Sequence, residues 1–263
     1  ITKLLFISIN KIDQYFFNDN FLKLKNKNYI IKKLGKFNTI KLYPEKKKFV
    51  DYFNNKECLK LKKFKLDLIL RNEFNIIKGD ILNMPKFGIW SFHHGENDYY
   101  RGGPAGFWEV LNNEKTTGVT LQKLNNKLDG GLIIDKAHFP TQLSFIRNNA
   151  YILEKSTSIL IKNIKLLYYR SKITGVKSKA SNYKIHKYPD RITTVIKYLI
   201  IVLNNFIFSR IIKKIAFLLN YRLNMWSLFL IRDNIFSNKI NKIIPIFPPK
   251  GFFYADPFII KNN

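Results

Sequence analysis

Cysteine is nearly absent from this sequence: Cys58 is the only one among 263 residues. A disulfide framework and a cysteine-built zinc site are therefore excluded, and a single thiol suits a reducing compartment. Arginine is also scarce, supplying eight of the 46 basic side chains. Proteins that read nucleic acid lean on Arg for bidentate contacts to bases and phosphates, so a nucleic-acid partner is not expected despite a net charge of +28. Long apolar runs are missing. The longest, Tyr198 to Leu203, stops at Asn204 and Asn205, well short of the roughly 20 residues that span a bilayer. The chain opens without Met and without the basic-then-apolar pattern of a signal peptide.

What is present supports a folded protein. Hydrophobic residues make up 46% and charged ones 24%, enough to bury a sizeable core. Ile, Lys and Asn supply 104 of the 263 residues, a bias expected from A/T-rich codons, which inflates Lys without regard to function. The placement of charge says more than its total. Residues 152–250 hold 19 basic side chains against Glu154, Asp190 and Asp233, so an anionic partner, if there is one, belongs to the second half.

Apolar spacing gives a coarse plan. Residues 3–10 read as a short buried strand, Leu66 to Leu70 as a second, Ile76 to Leu82 as a helical turn, and Phe87 to Phe92 as a strand ending in His93 and His94. A glycine-rich loop over 94–106 leads to a short helix around Phe107 to Leu111. Residues 118–124 and 132–135 read as strands parted by a Gly-Gly turn. Ala150 to Tyr169 has apolar residues at helical spacing. Strands alternating with helices predict an α/β fold with a mainly parallel sheet. Residues 171–191 read as a polar linker and 192–222 as one or two amphipathic helices. Trp226 to Ile260 reads as short strands punctuated by proline.

The chemistry concentrates between Ser91 and Gly131. A strand delivers His93 to its C-terminal edge, where open α/β sheets hold their ligands. A glycine-rich turn follows, and a second loop, Leu128-Asp129-Gly130-Gly131, presents a carboxylate able to orient an imidazole and stabilise its charged form. His94 reads as a loop histidine, Trp108 as core, and Gly102, Gly103, Gly130 and Gly131 as turn residues. His138 and His186 lack acidic or cysteine neighbours in sequence, so no metal site is expected.

His93, Arg101-Gly102, Trp108, Thr117-Gly118-Val119-Thr120 and Leu128-Asp129-Gly130-Gly131 follow one another in an order and spacing that resembles the formyltransferase family. The resemblance covers about residues 66–170. It implies a Rossmann-like α/β domain over 1–170, with a first strand and helix lacking at the start, that moves a formyl group from 10-formyltetrahydrofolate to an amine. By the same resemblance, His93 would stabilise the charge formed on the transferred group and relay protons, and Asp129 would set its protonation state. Arg101, Gly102, Thr120 and Gly130 would orient substrate. Two departures stand out. Position 91 is Ser where the family has Asn, and the loop reads GENDYY in place of a Leu-Leu-Pro pattern. The family's Asn helps hold the formyl oxygen; Ser91 would donate through a shorter hydroxyl, and losing one such donor costs about 10²–10³ in rate.

The segment Gly251 to Phe258 (GFFYADPF) is similar to the opening of the first blade in five-bladed propellers of glycan-active proteins. It implies a truncated propeller-like domain over 226–263, a basic linker with amphipathic helices over 171–225, and a chain that is a fragment. An amino-sugar nucleotide in surface-glycan synthesis is then the expected acceptor, and a cytoplasmic location, with contact to the inner face of the membrane, the expected setting. Two alternatives stay open: a catalytically silent domain of the same fold that binds glycan or a protein, and a membrane- or polyanion-binding protein that uses 192–222 as a basic interfacial helix.

Overall fold

Residues 2–16, 39–72, 75–96, 99–126, 130–178, 185–219, 228–231 and 243–246 are described by the structure, a computed structural model. Helix α1 spans Thr2–Phe16. Its buried side chains, Phe6, Ile9 and Asp13, recur at three and four, the spacing of one helix face, and this overturns the strand expected over 3–10. Phe6 sets its ring against Phe107 at 5.2 Å and Phe145 at 5.9 Å.

A hairpin follows from β1 (Glu45–Lys47) and β2 (Val50–Phe53). Helix α2 (Asn55–Lys62) starts at Asn54, whose side chain accepts from the Glu57 amide at 3.1 Å, a side-chain N-cap. Strands β3 (Ile69–Leu70) and β4 (Ile76–Gly79) come next. Only Asp80–Asn83 forms a 3₁₀ turn. The β-branched pair Ile76-Ile77 joins β2 in parallel register, so the helical turn expected from Ile76 begins four residues late.

The central elements are β5 (Ile89–His94), β6 (Arg101–Gly102), helix α3 (Phe107–Leu111), β7 (Thr116–Lys123), β8 (Leu132–Pro140) and the long helix α4 (Phe145–Arg170). Strands β5, β7 and β8, with β3 and β9 (Val176–Lys177), build a five-stranded sheet in the order β3-β5-β7-β8-β9. The α/β class is as expected, but the sheet is not mainly parallel. Only β3 and β5 run parallel; β5–β7, β7–β8 and β8–β9 are antiparallel. The chain between β7 and β8 is too short for the crossover that a parallel neighbour needs.

Alternation along β5 divides the core. Ile89 packs with Phe53, Ile77, Ile81 and Leu82 on one face. Trp90 packs with Val119, Leu121, Ile152 and Ile159 under α4 on the other. Ser91 and His93 share the face of Ile89 by the two-residue period of a strand, so the functional residues look away from α4.

The stretch expected to be a linker contributes β9 and also β10 (Ile185–His186), which pairs in parallel with β6. Helix α5 covers Ile192–Leu218 without a break. Contacts divide the chain into one unit over Ile1–Asn205 and another over Phe206–Asn263. The second unit contains an antiparallel pair, β11 (Leu228–Ile231) with β12 (Ile243–Ile246). The propeller-like segment Gly251 to Phe258 lies outside the described residues. Against expectation, α5 carries apolar side chains on its exposed side as well as its buried one, so it is not an amphipathic helix. As a continuous helix it is long and apolar enough, by length and composition, to cross a membrane, because Asn204 and Asn205 interrupt the apolar run without ending the helix.

Candidate functional site

The site grows from the C-terminal edge of β3 and β5. These strands pair in parallel with Leu70 beside Trp90, and the Arg71 amide donates to the Trp90 carbonyl at 2.8 Å. That register sets Arg71 next to Ser91. Arg71 Nη1 donates to Ser91 Oγ at 2.9 Å, while Nε donates to the Asn75 carbonyl at 3.2 Å. Ser91 is 3% exposed, and its hydroxyl also lies 3.3 Å from the Phe92 carbonyl.

His93 is half-buried, with Nε2 at 3.1 Å from the Tyr100 carbonyl. A carbonyl only accepts, so Nε2 carries a hydrogen and the lone pair of the neutral ring sits on Nδ1. The loop behind the strand turns tightly at Gly95, whose φ is +146°. A Cβ there would stand 3.1 Å from the Tyr100 carbonyl oxygen, 3.3 Å from Glu109 Oε1 and 3.5 Å from His93 Nε2. Glycine thus lets a carboxyl, a carbonyl and the imidazole converge on one spot. Glu109 Oε1 accepts from the Glu96 amide at 3.2 Å, and burial pushes the Glu109 carboxyl up to about 7.

His94 occupies the last position of β5, not a loop. Its ring stacks on Phe92 at 5.4 Å and Nε2 lies 3.3 Å from Ser156 Oγ on α4. Burial above all, with the neighbouring His93, lowers it to about 4, so it stays neutral at physiological pH.

Strand β7 crosses beside β5 with Thr120 opposite His93 and Gln122 opposite Ser91. Both residues are buried, and Thr120 Oγ1 and Gln122 Oε1 find no hydrogen-bond partner among the described residues. Buried polar atoms are ordinarily satisfied, so both await a partner that the described residues do not supply. A cavity of about 350 Å³ opens here, lined by Arg71, His93, Gln122 and Asn125 with apolar Phe92 and Ile185. Its polar side chains stand beside apolar walls, the usual make-up of a small-molecule site.

The other expected residues are placed as follows. Gly102 lies on the cavity wall with φ +94°, and a Cβ would come 2.1 Å from the His186 carbonyl oxygen, so the β6–β10 pairing requires glycine. Arg101, beside it, is buried. The Gly130 carbonyl accepts from Asn125 Nδ2 at 2.7 Å, which ties the second loop to the end of β7. Asp129 lies outside the described residues. Trp108 is half-buried and not core: its Nε1 donates to the Gly103 carbonyl at 3.1 Å and its ring meets that of His186 at 4.6 Å. Phe107 fills the core instead.

His138 does have acidic company, because Glu96 holds both His138 and Lys136 on the site's side of β8. Among the described residues no group of three or more His, Cys, Asp or Glu side chains could hold a metal ion. Sequence reasoning missed Arg71, Glu109 and Gln122. A hint for Arg71 was available: it directly follows the apolar strand that precedes the histidine-bearing one, at the edge where parallel strands hold ligands.

No family model matches the chain. Relatives are found by sequence. The bifunctional polymyxin resistance protein ArnA of Wigglesworthia glossinidia brevipalpis is 32% identical over 126 residues, 44% of this chain and 18% of that protein. The methionyl-tRNA formyltransferase of the same organism is 32% identical over 108 residues, 40% of this chain and 33% of the relative. The chain thus spans a third or less of the length of these two relatives. Among solved structures, WlaRD, a sugar 3N-formyltransferase crystallised with dTDP and 5-N-formyl-THF, aligns over 71% of this chain and 72% of its own at 22% identity and a TM-score of 0.39. The chain is therefore similar in sequence, over part of its length, to ArnA and to a methionyl-tRNA formyltransferase.

Proposed function

We propose that this protein transfers a formyl group from 10-formyltetrahydrofolate to an amine. The observation that carries the reading is His93, set on the edge of β5 with Nε2 donating to a carbonyl and its basic lone pair on Nδ1, at a cavity that Arg71, Gln122 and Asn125 also line. The sequence similarity to formyltransferases supports the same reaction. The folate, a substrate consumed in the reaction, supplies an electrophilic formyl carbon. His93 Nδ1 accepts a proton from the attacking amine and returns it to the leaving nitrogen. Gln122, on the cavity wall, and Thr120 orient the bound substrates, and Asp129 steadies the imidazolium. Apolar Phe92 and Ile185 exclude water, which would otherwise compete as nucleophile.

The acceptor in this reading is an amino-sugar nucleotide. The setting is the cytoplasm, in keeping with a lone thiol, which is buried. The test is release of tetrahydrofolate from 10-formyltetrahydrofolate with a panel of amino-sugar nucleotides. Release that depends on the acceptor and is lost in His93→Ala and Asp129→Asn is expected. A folded protein that releases none would leave a binding domain of the same fold.

A second reading concerns α5. Ile192, Ile196, Ile200 and Leu203 recur at four, four and three and are all exposed, an apolar stripe on a helix with basic Lys197, Arg210, Lys213 and Lys214 and no acid. It supports contact with an anionic membrane surface. Co-sedimentation with anionic vesicles, weakened by Lys213→Glu/Lys214→Glu, is expected; equal sedimentation with neutral vesicles would end this reading.

A further inference from the structure

We propose that Arg71 is a catalytic residue and that its guanidinium, braced by Ser91, donates to the oxygen of the formyl group in transfer; this rests on the reading given under Proposed function. At position 91 the resembled family carries an Asn, whose amide N–H helps hold that oxygen. Ser91 has a shorter side chain and no N–H. Its hydroxyl accepts from Arg71 Nη1 at 2.9 Å and faces the Phe92 carbonyl at 3.3 Å, so it is engaged within the wall and contributes nothing to the cavity lining, whereas Arg71 does. The guanidinium thus brings a donor to the cavity wall beside the position of the missing amide.

Two anchors fix its plane. Nε donates to the Asn75 carbonyl at 3.2 Å and Nη1 to Ser91, while the backbone is locked by the Arg71 amide on Trp90. A donor held this way needs no reorganisation when charge develops nearby, and a cationic donor makes hydrogen bonds about twice as strong as a neutral amide. In the step itself the amine lone pair bonds to the formyl carbon and the carbonyl π pair moves onto oxygen, facing Arg71. That pair returns as the carbon–nitrogen bond to the folate breaks. The proton lost by the amine passes through His93 to the leaving nitrogen, and Arg71 keeps all of its own.

The test uses the full chain. In Arg71→Ala, kcat is expected to fall about 10²–10³-fold with KM for 10-formyltetrahydrofolate rising no more than about tenfold; Arg71→Lys falls less, and adding Ser91→Asn to Arg71→Ala restores part of the rate. A second readout needs no turnover. In a His93→Ala background, Arg71→Ala should weaken binding of 10-formyltetrahydrofolate roughly five- to tenfold and leave that of tetrahydrofolate as it was. Wild-type kcat in Arg71→Ala, no rescue by Ser91→Asn, or equal weakening of both folates would overturn the role of Arg71 while leaving formyl transfer standing. No tetrahydrofolate release by the unaltered protein with any acceptor would overturn the reaction itself, and this role with it. Should Arg71→Ala fail to fold, Arg71→Lys and its folate titration decide between the same outcomes.

Discussion

Glu109 and His94 are ionisable groups on opposite sides of the same loop, and burial moves them in opposite directions. The Glu109 carboxyl, 1% exposed, is raised to about 7, and the His94 imidazole is lowered to about 4, chiefly by burial in each case. Between the ordinary carboxylate value and 7, Glu109 is charged when unfolded but neutral when folded. Its contribution to stability is full below the ordinary value and lost as pH rises through about 7. His94 is charged when unfolded below its ordinary value of 6.5 but neutral when folded, so its contribution is full above that value and lost as pH falls towards 4. The two slopes oppose each other across the acidic range. Glu109→Gln, which keeps the Oε1 acceptor for the Glu96 amide, should remove the falling limb and expose the rising one. Urea unfolding between pH 4.5 and 7.5 checks this: the variant should gain on the parent progressively as pH rises, by up to a few kcal/mol. A constant difference across that range would show that Glu109 does not titrate as its burial dictates. None of this was legible in the sequence, because neither Glu109 nor His94 announces its burial by spacing.

At the scale of elements, the start of α4 depends on a residue far along the chain. Ser144, its N-cap, makes no side-chain hydrogen bond to the helix. Tyr198 of α5 instead accepts from the Phe145 amide at 3.0 Å through its hydroxyl, 53 residues away. The first amides of a helix have no partner within it, so Tyr198→Phe leaves a part-buried donor unmet while preserving the ring packing against Phe6 and Phe107. A loss of about 1–2 kcal/mol in urea unfolding is expected. Unchanged stability would mean that water or another group serves the Phe145 amide. The existence of α4 was legible from its period, as was that of α3 and β5. Its boundaries were not, because Phe145 to Asn149 join the helix through contacts with α1, α3 and α5 that no local pattern encodes.

At the scale of the whole molecule, charge and apolar surface meet on one helix. The second half of the chain is strongly basic, and in the first unit α5 exposes Ile192, Ile196, Ile200 and Leu203. If the membrane-surface reading holds, vesicle binding should combine both terms. Raising salt from about 0.05 to 0.5 M shortens the screening length severalfold and should remove the charge-dependent part, leaving an apolar remainder. Loss of all binding would mean that the stripe contributes nothing.

Much of what is local or periodic could be read before any fold was known. His93 at the end of an apolar strand, the ordered run from Arg101 to Gly131 that resembles formyltransferases, the short helix at Phe107 and the long amphipathic one after Ala150 were all legible, because each depends on neighbours or on a 2.0 or 3.6 period. The remainder came from how the elements pack and pair. A period cannot tell which strands lie side by side, so the antiparallel run β5–β7–β8–β9 and the pairing of β10 with β6 could not be read from it. Residues 3–10 fit a strand until Phe6, Ile9 and Asp13 are seen to share one buried face. Arg71 and Ser91, 20 residues apart, meet because β3 and β5 pair in parallel register, and a hydrogen bond set by strand register leaves no trace in either residue's sequence neighbourhood.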